Sequence, residues 1–340
     1  MGLVSILEPE VRVEVRSGAL RCVRGRVVLR TLRPHAIDAL HLHGSATLTS
    51  EARYLLLKQG TDVVFLTRDG RFIGRLSGAM RPGGDRRLRQ YAALSNPRTR
   101  LAIAQGIVRG KLANQRALLM RRRLGASDPS VKALEQLHID ATHASGLDVL
   151  RGIEGMGARR YFDGFSRLVR SESIRFEGRN RRPPRDPINA MLSYAYVLLS
   201  TRIEHAVRTC ALDPYLGALH EAGRGAPALA LDLMEEWRPL ADSMVLTLVN
   251  RGQVTTADFR TPLPSEVGLS EDDDVDAVYL QRTGTTVLVR AWERAIRDRY
   301  AHPDTGDRWT ALDLFREQAM AMARCFGEAE PQYAAVELWS

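Results

Sequence analysis

Apolar and charged side chains alternate over residues 11–16 (Val-Arg-Val-Glu-Val-Arg), the period-two signature of a strand with one face buried. Short apolar runs follow at 27–29 and 40–43, broken by glycine and proline. Residues 50–57 change period and predict a short helix, started by Ser50 and stopped by Gly60. Two further runs, 62–67 and 71–76, flank Arg68-Asp69-Gly70, and the Asp-Gly pair predicts a hairpin. His41 and His43 fall on one face of their strand and read as structural. Many short strands at close spacing predict a small β-sandwich or barrel-like domain over residues 1–80.

Residues 77–85 (Ser-Gly-Ala-Met-Arg-Pro-Gly-Gly-Asp) interrupt this texture, so a linker is expected at 81–90. Beyond it the period is helical. Leu101, Ala104, Ile107, Val108, Leu112, Gln115 and Leu119 recur at spacings of three and four, predicting a helix over 98–123. Further helices are expected at 131–143, capped by Ser130 behind Pro129, and at 147–171 and 187–211. Residues 227–252 read as one long helix opened by Pro227, 260–277 as a loop, and 286–301 and 309–326 as two last helices. The expected fold is α+β, a β-sandwich followed by an all-α part over 91–340.

Composition narrows the function. The 340 residues are 44% hydrophobic and 26% charged, ordinary globular values that exclude bulk disorder. Lys and Arg number 49 against 40 Asp and Glu, a net charge of +9 that favours a polyanionic partner. Lysine occurs at Lys58, Lys111 and Lys132, and every other basic residue is arginine. Arginine forks onto phosphate, although a GC-rich genome would enrich it too. From residue 86 to 123 there are eleven basic residues and no acidic one. A one-signed helix gives up i,i+4 pairing, which a phosphate backbone would restore. A second basic run at 167–185 contains a Pro-Pro pair just before its last arginine; a solvated face, or pairing with the acidic run at 271–274, is its bland alternative. No apolar run approaches the ~20 residues of a membrane span, and the first residues lack the pattern of a secretory leader. Cys22, Cys210 and Cys325 form no framework, so the cytoplasm is the expected compartment.

The candidate chemistry lies in acids and one histidine. Glu154 stands among Gly152, Gly155 and Gly157, where a phosphate could approach the backbone closely. Asp232 and Glu235, at i and i+3 of a helix, could both point at one ion, with His220 close before them. Carboxylates plus one imidazole suit Mg²⁺ or Mn²⁺. Acid pairs at this spacing are also common on solvated faces, and a lone histidine is more often structural, so the residues alone leave both readings open.

Residues 180–196 (Asn-Arg-Arg-Pro-Pro-Arg-Asp-Pro-Ile-Asn-Ala-Met-Leu-Ser-Tyr-Ala-Tyr) resemble the most recognisable segment of the CRISPR-associated adaptation integrase family, CRISPR-associated protein one. Residues 152–162 resemble that family's first catalytic motif, and His220 with 228–239 its second and third. Residues 109–115 (Arg-Gly-Lys-Leu-Ala-Asn-Gln) are similar to another family segment. The likeness runs from about residue 35 to 326; the first 30 residues and the loop at 260–277 match nothing.

The resemblance implies a metal-dependent DNA endonuclease and integrase that inserts new spacers into a CRISPR array. By position it makes Glu154, His220 and Glu235 metal ligands and Asp232 a nearby helper; Glu235 stands where many relatives have Asp. It implies Mg²⁺ or Mn²⁺, double-stranded DNA, a homodimer formed through the sandwich and a small ferredoxin-like partner, with no membrane; whether an end-trimming nuclease joins them is left open. Arg109, Lys111, Arg116, Arg122, Arg181, Arg182, Asn189 and Tyr194 are the expected DNA contacts. The rival reading is a non-catalytic nucleic-acid binder whose acids and histidine are structural. Membrane attachment through arginine is disfavoured by the lack of aromatic anchors on the basic helix.

Overall fold

The alternating run at 11–16 is one strand of a meander in a computed structural model. The structure describes residues 2–339 apart from 80–81, 181–182, 222, 224, 268–269, 271–273 and 302–304. The strands are β1 (Gly2–Ile6), β2 (Arg12–Arg16), β3 (Ala19–Arg24), β4 (Val27–Leu32), β5 (Ile37–His43) and β6 (Thr47–Leu48). Helix α1 (Ser50–Gln59) then leads to the hairpin of β7 (Asp62–Leu66) and β8 (Phe72–Leu76). One sheet runs β1-β5-β7-β8, parallel except for β8; the other runs β4-β3-β2-β6, antiparallel except for β6 against β2. Val13 and Leu20 from one sheet meet Ile6, Leu40, Leu42 and Val63 from the other in a shared core with Leu56 of α1. The opposite face of β5, carrying Ala39, His41 and His43, is buried too, because the helical part covers it. Burial pushes the His41 imidazole well below its ordinary range and His43 down to about 4.

The helices are α2 (Gly84–Ser95), α3 (Pro97–Arg121), α4 (Pro129–Thr142), α5 (Leu147–Ser166), α6 (Pro187–Thr209), α7 (Ala228–Met234) and α8 (Arg238–Asn250). They are followed by β9 (Phe259–Arg260), α9 (Pro264–Val267), β10 (Tyr279–Leu280), α10 (Arg282–Ala295), the hairpin β11 (Arg299–Ala301) and β12 (Arg308–Thr310), and α11 (Ala311–Cys325). The β-rich start and helical remainder make the fold α+β, as expected. Several boundaries differ. Most of the expected linker is the first half of α2. Thr49, not Ser50, caps α1, and Asp128, not Ser130, caps α4, each accepting a backbone N–H of the first turn.

The expected helix over 227–252 is two helices. Pro239 has no N–H to give the Glu235 carbonyl, and its ring would clash there. The chain turns instead through tight i→i+3 bonds, Glu235 to Asp232 and Trp237 to Met234. Glu235 is left at the junction.

Helix α3 threads the helical part and packs on α2, α4, α5, α7 and α8. Its contact with α5 is close because Gly157 and Gly164 have no side chain where Leu112 and Leu119 pass; a Cβ at Gly157 would overlap Leu112. Asn96 caps α3, accepting from the Arg98 and Thr99 amides ahead of the favourable Pro97. Tyr194 of α6 ties the two parts together, its hydroxyl 2.9 Å from Nδ1 of His43.

Candidate active site

Three separated segments meet around the middle of α3. Glu154 comes from α5, Glu235 from the α7–α8 junction and His220 from the loop before α7. Between the carboxylates lies the ammonium of Lys111, buried, ion-paired with Glu154 and 2.7 Å from Oε2 of Glu235. Nε of Arg238 lies 2.9 Å from the same Glu235 oxygen. Nε2 of His220 stands 3.9 Å from the other, Oε1. Burial opposes the Glu235 charge, but Arg238, Lys111 and His220 overcome it and hold the carboxyl at about 2. Burial likewise opposes the Lys111 charge, and Glu235 and Glu154 outweigh it, so its pKa is raised. Glu154 is 28% exposed and His220 35%, so the cluster opens to solvent on their side.

Asp232 does not share this focus. Its carboxylate is fully buried and accepts the backbone amides of Ala218 at 2.6 Å, Leu219 at 3.1 Å and His220 at 2.9 Å. Its Oδ1 also lies 2.7 Å from Nδ1 of His220. The expectation that Asp232 and Glu235 point at one ion is corrected: the helix ends between them, and Asp232 faces the loop. Asp232 is a positioning residue. With Nδ1 of His220 donating to it, Nε2 keeps a lone pair directed away. Burial lowers the His220 pKa, and the Asp232 hydrogen bond and charge raise it to a net position above 6.5.

The loop bearing His220 is built from arginines of the basic stretch and its neighbours. Arg100 donates to the Ala218 carbonyl at 2.9 Å and Arg151 to that of Leu219 at 3.1 Å. Gln90 of α2 holds the same loop through Asp213 and Leu216. Below the site, Tyr161 and Tyr196 donate to Asp242 at 2.7 and 2.6 Å, and the Arg238 guanidinium lies 4.4 Å over the Tyr196 ring. Asn114, one turn past Lys111, bonds the Glu236 and Val336 carbonyls, and its Oδ1 accepts the Leu338 amide.

The expected DNA contacts divide sharply. Arg109 is exposed, and Arg116 is half-buried and paired with Glu135 at 3.2 Å. Four expectations are corrected. Lys111 faces inward between two carboxylates. Arg122 ties α3 to α8, donating to Ser243 and Thr247. Asn189 is buried and organises residues 178–186 through Gly178, Arg179 and Asp186. Tyr194 is buried against His43. Arg181 and Arg182 lie outside the described residues, as does most of the acidic run at 271–274. Nearby, Arg185 pairs with Asp276 at 3.0 Å.

Sequence reading gave Lys111 to DNA rather than to the acid cluster, and missed Arg238 as a site residue. A signal existed for each: a lysine in a chain that otherwise uses arginine, and an arginine three residues past Glu235. It also passed over Arg159 and Arg160, exposed on α5 beyond Glu154, where Gly152 and Gly155 leave open space.

The donor set suits a divalent cation: two carboxylates and an imidazole nitrogen oriented by Asp232. Among the described residues no three metal-binding side chains already close on one point, and the Lys111 ammonium occupies the centre. The residues fit such an ion once Lys111 withdraws.

The family model for CRISPR associated protein Cas1 matches residues 4–294. A CRISPR-associated endonuclease Cas1 of Thermus thermophilus is 34% identical over 98% of this chain and 96% of its own. A CRISPR-associated exonuclease Cas4/endonuclease Cas1 fusion of Geobacter sulfurreducens is 38% identical over 96% of this chain and 59% of its own. The solved structure of a casposase bound to integration product superposes with a TM-score of 0.85, covering 99% of this chain and 94% of that one at 22% identity.

Proposed function

The chain belongs to the Cas1 family of CRISPR-associated proteins, and on that premise we propose that it is a divalent-metal-dependent DNA endonuclease and strand-transfer integrase that inserts new spacers into a CRISPR array. The observation that carries this reading is that Glu154 and Glu235 meet on the Lys111 ammonium, with Nε2 of His220 3.9 Å from Glu235, in a cluster that opens to solvent on the Glu154 and His220 side. A pure nucleic-acid binder has no use for two carboxylates facing a polyanion.

In the proposed reaction the 3′-hydroxyl of a spacer attacks a repeat phosphodiester. One phosphorus–oxygen bond forms as another breaks, so no external energy source is consumed. Glu154, His220 and Glu235 would hold Mg²⁺ or Mn²⁺, which as a Lewis acid would stabilise charge at phosphorus and the attacking oxygen. Asp232 fixes the His220 ring so that Nε2 is the ligating atom. Arg238 stays beside Glu235 and limits the negative charge of the ligand set. Arg109, Arg116, Arg159 and Arg160 would hold DNA through phosphate, which suits fragments of any sequence. Open space at Gly152 and Gly155 would let a strand approach α5 near Glu154.

The functional unit we propose is a homodimer through the sandwich, joined by a small ferredoxin-like partner. The Cas4 fusion among the relatives supports an associated nuclease that prepares ends. No helix among the described residues is long and apolar enough to cross a membrane, and we place the protein with its DNA in the cytoplasm.

The test is integration of a labelled duplex into a repeat-bearing plasmid, with the partner present. Glu154→Ala, His220→Ala and Glu235→Ala should each abolish joining while DNA affinity stays within about twofold, because affinity is spread over many phosphate contacts. EDTA should stop joining and Mn²⁺ restore it. Joining at wild-type rate in EDTA, or by any of the three variants, would overturn the assignment.

A further inference from the structure

Behind α6 lies a cavity of about 430 Å³ that the proposed reaction does not use. Arg202, His205, Arg297 and Arg316 line it, against two acids, Asp38 and Asp313. Arg202 is buried, only 5% exposed, and its Nε and Nη1 have no hydrogen-bond partner. Among the described residues no carboxylate lies within 4.0 Å of the Arg202, Arg297 or Arg316 guanidinium. Burial pulls the Arg202 pKa down, with Asp38 and Asp62 acting against it from farther away. A buried, unpartnered guanidinium is costly, and a bound anion would satisfy it.

Two more observations bear on what fits. The N-terminus of the fifteen-residue α11 borders the same cavity through Thr310 and Asp313, its partial positive charge offset by the Asp313 carboxylate, which accepts from the Thr310 hydroxyl. A second cavity of about 550 Å³ shares Thr310, Asp313 and Arg316 with the first and is lined by Trp309, Arg299 and Arg308, with one further acid, Glu317, which pairs with Arg324. The inner lobe therefore offers forked donors for a tetrahedral oxyanion, and the outer lobe offers an indole beside further arginines.

We infer that this paired cavity is a phosphate-binding site, with Arg202 at its base and Arg297 and Arg316 at its mouth, taking either free phosphate or the phosphate of a nucleotide whose base enters the lobe of Trp309. The site is independent of the metal cluster and of the reaction proposed there.

Isothermal titration of the full-length protein with inorganic phosphate, AMP and adenosine, at matched ionic strength, tests it. Phosphate and AMP should each bind at one saturable site, and adenosine should not. AMP binding tighter than phosphate assigns the ligand as a nucleotide; equal affinities assign it as free phosphate. Arg202→Gln should abolish binding. Arg297→Ala with Arg316→Ala, both exposed and so compatible with folding, should weaken it at least about tenfold, whereas Arg16→Gln on β2 should leave it unchanged. If Arg202→Gln fails to fold, the double variant decides. No saturable phosphate or AMP binding up to about 10 mM, or binding with wild-type affinity in the double variant, would overturn the inference.

Discussion

Lys111→Met exposes how the cluster is balanced. The Lys111 ammonium is buried between Glu154 and Glu235, and methionine nearly preserves its volume while removing its charge. Removing one partner of a buried ion pair costs about 3–5 kcal/mol. Here Glu235 keeps Arg238 at 2.9 Å and Glu154 can turn to water, so the low end, about 3 kcal/mol, applies. For a chain of this size that is a fall in Tm of about 6 °C, at about 2 °C per kcal/mol. A divalent cation should reverse the effect. At a hundredfold excess over Kd, a ligand stabilises by about 2.7 kcal/mol. In the wild type part of that gain is lost in displacing the ammonium; in the variant none is. Thermal melts in EDTA and in Mn²⁺ should therefore differ more for Lys111→Met than for the wild type, and Mn²⁺ should nearly close the gap between them. A variant equally destabilised with and without Mn²⁺, or a larger Mn²⁺ effect in the wild type, would refute the view that ammonium and metal share one position.

Asp242 should make stability fall with pH. Burial raises its carboxyl to about 6 from an ordinary 3.8, against the hydrogen bonds of Tyr196 and Tyr161 and the charge of Arg238. A raised folded-state pKa means the contribution is whole below pH ~4 and lost as pH rises through 6, up to about 3 kcal/mol. Urea midpoints of wild type minus Asp242→Asn should decline across that window, and a pH-independent difference would contradict it. Gly217→Ala places a Cβ 2.6 Å from Oδ2 of Asp232 and 2.8 Å from the Ala228 carbonyl carbon, so it should cost about 2 kcal/mol and abolish joining. Gly155→Ala meets open space and should stabilise by up to about 1 kcal/mol while weakening DNA binding, measured by melts and filter binding. Arg122→Ala should lower Tm yet leave the salt slope of DNA affinity unchanged. Arg109→Glu with Arg160→Glu should reduce that slope by about 2.

The local periods along the chain were enough to establish its architecture in order. Alternation at 11–16 and the Asp-Gly at 69–70 define strands and a hairpin wherever they are placed, because side-chain direction in a strand depends on the backbone alone. The helical spacing beyond residue 96 works in the same way. Pro239 was also legible as the breaker that leaves Glu235 at a helix end, although the long apolar pattern of 227–252 hid it. The acids and the histidine of the site were picked out by residue type and by family likeness. What each polar side chain faces was not available from the sequence. A period says which face of a helix is apolar, but α3 is enclosed by five other helices and has few faces left for solvent. Arg122 finds its acceptor 121 residues away, Asn114 one of its acceptors 222 away, and Tyr194 reaches His43 across 151. Lys111 looked like a phosphate contact because its basic neighbours along the chain shared its sign. Packing α3 against α5 and the α7–α8 junction gave it two carboxylates instead, since a buried ammonium is tolerated where opposite charges meet it. Asp232 and Glu235 are three residues apart in sequence and serve different partners in space, because the helix ends between them and three loop amides claim the first.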